Sequence, residues 1–120
     1  MSQGSKEKPK FDLEERTAKF AEDLIIFLRT IKLDAVNRRI IDQLVGSSGS
    51  IGANYCEATE TESKKDFCHK VRIAKKEIKE TKHWLRLLAT SNPACKEELK
   101  IFWAEAQELL LIFAKISRSC

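Results

Sequence analysis

Seven side chains between Phe67 and Leu88 recur at alternating steps of four and three residues, and that rhythm leaves a chain few ways to fold. Phe67, Val71, Ala74, Ile78, Thr81, Leu85 and Leu88 share one stripe of a helix, whereas they would scatter over both faces of a strand. Cys95, Leu99, Phe102, Ala106, Leu109, Phe113 and Ile116 repeat the same steps towards the C-terminus. Such seams bury themselves only against other helices. With two prolines and four glycines in 120 residues, and no alternating strand pattern, the chain reads as all-α and as one domain large enough for its own core.

The helix boundaries follow from caps and breaks. Asp12, with Glu15 three residues on, starts a first helix over about 12–30 that buries Leu13, Phe20, Leu24, Phe27 and Ile31. Asp34 caps a second over about 35–59, and Ser63, with Asp66 at its third position, caps a third over 64–90. Asn92 and Pro93 open a fourth over 93–118. Four helices on short connections predict an up-down-up-down antiparallel four-helix bundle over residues 11–120. Residues 1–10, polar and carrying Lys6, Lys8 and Lys10, read as a disordered basic tail.

The second helix carries an unusual centre, QLVGSSGSIGANYCE from Gln43 to Glu57. By propensity it is a loop, yet Ile40, Leu44, Ile51 and Tyr55 keep helical phase through it. Gly46, Gly49 or Ser50, and Ala53, one turn apart, predict a surface that a neighbouring helix approaches closely, so that Gly49→Leu would overpack it. Gln43, Ser47, Ser50, Asn54 and Glu57 form a polar stripe beside it, suited either to fixing helix register or to holding a ligand. No GxGxxG or GxxxxGK is present and no strand precedes the glycines, which argues against a nucleotide site.

Catalytic chemistry finds no foothold. Asp66-x-x-His69 and Glu80-x-x-His83 have the spacing used in di-metal bundles, but both sit on the third helix, about 21 Å apart, and there is no third histidine. The reading is therefore a non-enzyme without metal or cofactor. Cys56, Cys68, Cys95 and Cys120 are widely separated, which predicts small apolar side chains rather than a zinc site or a disulfide framework. No membrane span or signal peptide is evident, and the expected location is the cytoplasm.

Charge and surplus apolar residues carry what functional signal there is. Residues 62–89 hold nine Lys or Arg against four acids, while the whole chain is only +4. Lys65, Arg72, Lys76, Lys79, His83 and Arg86 align on one helical face, with Lys75 and Lys82 beside it. That face is either a solvated surface or a site for RNA or DNA. Ile25, Ile26, Ile101, Trp103, Leu110, Leu111 and Ile112 lie off the main stripes. They point to an interface between copies of the chain, the alternative being a wide core-facing arc.

The run Gln43-Leu44 through Ser50-Ile51, Asn54 and Glu57, then Ser63-Lys64-Lys65-Asp66-Phe67, Ile73-Ala74, Glu77, Glu80 and Trp84-Leu85, resembles the family of 23S rRNA intervening-sequence proteins. The likeness spans about Phe11 to the C-terminus. It implies an up-down four-helix bundle assembled as a homopentamer, and it supplies no catalytic residue. A related group, the accessory variability determinants of diversity-generating retroelements, are basic pentamers that contact nucleic acid and a reverse transcriptase. Residues and resemblance together lead to a non-enzymatic homo-oligomer that binds RNA or other nucleic acid, with a nucleic-acid-processing protein as a further partner. The alternative is a scaffold or protein-interaction module with no nucleic-acid role.

Overall fold

The computed structural model of the protein describes residues 12–120; the lysine-bearing tail lies outside the described residues. The described chain is four α-helices: α1, Leu13–Leu28; α2, Ala35–Thr59; α3, Lys64–Ser91; and α4, Lys96–Arg118, which follows a 3₁₀ turn over Pro93–Cys95. The caps at the first three starts are those the sequence announces. The backbone N–H of Glu15 donates to Asp12 Oδ1 at 3.1 Å, that of Asn37 to Asp34 Oδ1 at 2.8 Å, and that of Asp66 to Ser63 Oγ at 3.0 Å. The fourth start differs. Asn92 makes no side-chain cap, and its amide is spent on the neighbouring helix instead.

α2 packs along α3, α3 along α4, and the shorter α1 lies across α2 and α4. The core joins Phe20 and Leu24 of α1, Leu44 and Ile51 of α2, Val71 through Leu88 of α3, and Leu99 through Phe113 of α4. Each fully buried Leu, Ile or Phe contributes about 1.5–3 kcal/mol, so the two apolar seams supply much of the driving force. α1 is further tied to α4 by Arg16, whose Nε donates to Glu105 Oε2 at 2.7 Å and whose Nη2 donates to Oε1 at 3.0 Å. The bond to Glu105 holds the guanidinium pKa above its usual value.

The close approach expected at Gly46 and Gly49 falls elsewhere. A Cβ at either position would meet nothing within 4 Å, because both glycines face outwards. The contact is at Gly52, where a Cβ would stand 2.9 Å from Thr17 Oγ1 on α1. Thr17 cannot easily retreat, since it is buried and its hydroxyl donates to Leu13 O at 2.7 Å. Gly49→Ala should therefore raise stability by about 0.5–1 kcal/mol through helix propensity. Gly52→Leu should lower it by about 1–3 kcal/mol through overpacking. Urea unfolding of the two variants decides the matter, and equal midpoints would remove the close α1–α2 approach from the account.

The cysteine reading also needs correction. Cys68, at the start of α3, is disulfide-bonded to Cys120, just beyond α4, with their Cα atoms 6.0 Å apart. Wide spacing in sequence says nothing against it, because antiparallel helices bring distant positions side by side. Cys56 and Cys95 are free and half-buried. Burial, with Glu14 nearby, pushes the Cys56 thiol pKa up.

At the end of the bundle where α2 begins, buried Asn37 joins two connections. Its Nδ2 donates to Lys32 O at 2.9 Å and to Asn92 Oδ1 at 3.0 Å, while its Oδ1 accepts from Ser91 Oγ at 2.7 Å and Asn92 Nδ2 at 2.9 Å. The carbonyls of Lys32 and Leu88, which can only accept, fix which way each amide points.

Candidate nucleic-acid interface

One face of α3 is fixed inwards by Val71, Ala74, Ile78, Thr81, Leu85 and Leu88, all buried. Helical geometry then forces the opposite face outwards, and the basic residues occupy it. Lys65, Arg72, Lys76, Lys79, His83 and Arg86 are exposed. They cover roughly 31 Å at 1.5 Å per residue. Among the described residues, none of these side chains forms an ion pair with a carboxylate. Like charges one turn apart destabilise a helix by about 0.2–0.5 kcal/mol per pair, so the arrangement brings the fold no benefit of its own.

Lys75 and Lys82, placed beside the stripe by the sequence, are only half-exposed. Lys82 leans onto α4, where its Nζ donates to Gln107 Oε1 and lies 4.3 Å from the centroid of the Trp103 ring. A cation over an indole face is held by the ring quadrupole. Lys82 therefore joins two helices as well as adding charge. Glu77, also half-buried, has its carboxyl pKa raised by burial and then by Glu80, with Lys76 acting the other way.

The polar stripe of α2 divides. The hydroxyls of buried Ser47 and of Thr81 on α3 are hydrogen-bonded to each other at 2.9 Å. Thr81 Oγ1 also lies 2.8 Å from Glu77 O of its own helix, which accepts the Thr81 proton and leaves Ser47 as the donor between the two hydroxyls. Glu57 is exposed and accepts from Lys70 Nζ of α3 at 2.6 Å. The Ser47–Thr81 and Glu57–Lys70 bonds connect α2 to α3. Ser50 and Asn54 bond back to their own helix, at Gly46 O and Ser50 O, and Gln43 is exposed. The stripe does not converge on a pocket.

The surplus apolar residues also separate. Leu110 and Ile112 pack against the core, whereas Ile25, Ile26, Ile101, Trp103 and Leu111 are exposed. Ile101 and Trp103 lie two residues, hence about 200°, apart around α4, so they occupy opposite flanks. Trp103 turns to α3 and meets Lys82. Leu33, Val36 and Val45, which periodicity does not single out, are exposed as well. Beside Val36 and Ile40 stands Trp84, whose buried Nε1 has no hydrogen-bond partner among the described residues.

Asp66 with His69 and Glu80 with His83 all lie on α3, and among the described residues no group of three or more His, Cys, Asp or Glu is placed to hold a metal ion. No helix of the described residues is long and apolar enough to cross a membrane.

The fold is similar to that of a Bacteroides thetaiotaomicron protein of unknown function from the S23 ribosomal protein family. The two are 27% identical, with 87% of this chain and 96% of that chain covered, at a TM-score of 0.76. The comparison with curated proteins returns no match. Residues 10–115 match the profile of the 23S rRNA-intervening sequence proteins, nearly the whole helical region described above. On that match and that fold, the chain belongs to the 23S rRNA-intervening sequence protein family.

Proposed function

We propose that the protein is a non-enzymatic, self-associating bundle that binds RNA or other nucleic acid through the exposed basic face of α3. The observation that carries this reading is the stripe Lys65, Arg72, Lys76, Lys79, His83 and Arg86, exposed and, among the described residues, without a carboxylate ion pair. Its like-charged neighbours cost helix stability, and the cost is offset when phosphates lie along them. A binding assay by fluorescence anisotropy tests it. Changing Arg72, Lys76, Lys79 and Arg86 to Gln should weaken binding to a short RNA or DNA by about 10- to 100-fold, with little dependence on sequence. Helicity should not change, because all four side chains are exposed. Undiminished binding by the variant would move the site off this face.

Self-association rests on Ile25, Ile26, Ile101 and Leu111, joined by Leu33, Val36 and Val45. Family membership makes five copies the expected number, and a ring would repeat the basic face around its circumference. Light scattering should give a multiple of the 13.7 kDa chain mass. A monomer at micromolar concentration would leave the apolar surface unexplained and the ring excluded.

A further inference from the structure

The basic face does not stop at Arg86. It runs into a cleft of about 410 Å³ between the C-terminal half of α3 and the N-terminal half of α4. Leu85, Ala89 and Leu99 contribute its apolar lining, and Trp103 lines it with an indole 41% exposed. Arg86, Lys96 and Lys100, all exposed, contribute the cations, and Lys100 Nζ lies 3.8 Å from Glu97 Oε2. Lys82 holds the Trp103 ring through the cation–π interaction and is not itself part of the cleft lining.

An aromatic surface within a cationic cleft, continuous with a phosphate-binding face, suits one chemistry better than others. A duplex presents phosphates and groove edges but no base face. A single strand can turn a base out, lay it on an indole and leave its phosphates to the surrounding Arg and Lys. We propose that this cleft takes an unstacked base of single-stranded RNA or DNA against Trp103, with Arg86, Lys96 and Lys100 on the flanking phosphates. Resting on the reading that α3 binds nucleic acid, this narrows the substrate class from any polyanion to single strands. It also separates Trp103 from the apolar surface assigned to subunit association.

The test compares three labelled probes on the full-length protein: a 20-nucleotide oligothymidylate, an abasic strand of equal length and charge, and a 20-base-pair duplex. Oligothymidylate should bind about tenfold more tightly than the abasic strand. Trp103→Ala should remove that difference, bringing the thymidylate strand to the level of the abasic one, and Trp103→Phe should restore most of it. Equal binding of the thymidylate and abasic strands by the unmodified protein overturns the stacking proposal without needing any variant. In that case the basic-face reading stands on phosphates alone. Preference for the duplex overturns it too. Failure of all three probes to bind would sink the broader reading together with this one.

Discussion

Asn37→Leu should destabilise the bundle by about 2–4 kcal/mol, although neither residue carries a charge and the position is only one turn into α2. The side chain is 3% exposed and makes four hydrogen bonds, to Lys32 O, Ser91 Oγ and both amide atoms of Asn92. Leucine fills a similar volume but leaves those partners without an opposite number, and each stranded buried group costs about 1–3 kcal/mol. Ser91 and Asn92 are half-buried, so water recovers part of that cost. Asn37→Asp is the sharper variant. It keeps the accepting oxygen and puts a second oxygen where Nδ2 donates, facing the acceptors Lys32 O and Asn92 Oδ1. Urea unfolding should show both variants with lowered midpoints. A double-mutant cycle with Asn92→Ala should return a coupling of about 1 kcal/mol or more. Purely additive effects would mean that the two amides do not act as a pair.

The second large effect is expected at the disulfide. Removing it by Cys120→Ser should cost about 2–4 kcal/mol, because the bond closes a 52-residue separation and restricts the unfolded chain accordingly. Cys120 is the better position to change, being exposed where Cys68 is buried. Reductant should lower the unmodified protein to the level of the variant and leave the variant unmoved. A thiol titration in denaturant gives an independent check: Cys56 and Cys95 should react before reduction, and all four cysteines after it. Four reactive thiols from the start, or a midpoint indifferent to reductant, would contradict the bond.

What the sequence discloses and what it withholds divide along local and distant interactions. The caps at Asp12, Asp34 and Ser63 are legible because cap and recipient lie three residues apart. The core face of α3 is legible because its period is a property of the helix itself, and the same phase places the basic stripe outside. Gly52 is different. Nothing near it distinguishes it from Gly46 and Gly49, since what makes it special is Thr17 on another helix. Cys68 and Cys120, or Asn37 and Asn92, are likewise distant in sequence and adjacent only after packing. Asn92 is readable as a helix start because of Pro93, and that local role conceals its cross-helix bond. For Trp103 a signal does exist. Its separation of about 200° from Ile101 around α4 already places those two on different flanks, although only the packing shows that the Trp103 flank meets α3.

The salt dependence of nucleic-acid binding tests the central claim most directly, because it reports how many phosphates the protein neutralises without altering the protein. Anisotropy with a single-stranded RNA, repeated between about 50 and 200 mM salt, should give a steep line of log affinity against log salt. If four or more of the exposed cations meet phosphates, the slope should be about −3 or steeper. The variant with Gln at positions 72, 76, 79 and 86 should flatten it by about 0.7 for each phosphate it no longer neutralises. A flat line, or no binding of RNA or DNA at the lowest salt, would contradict the account and leave the face of α3 as a solvated surface.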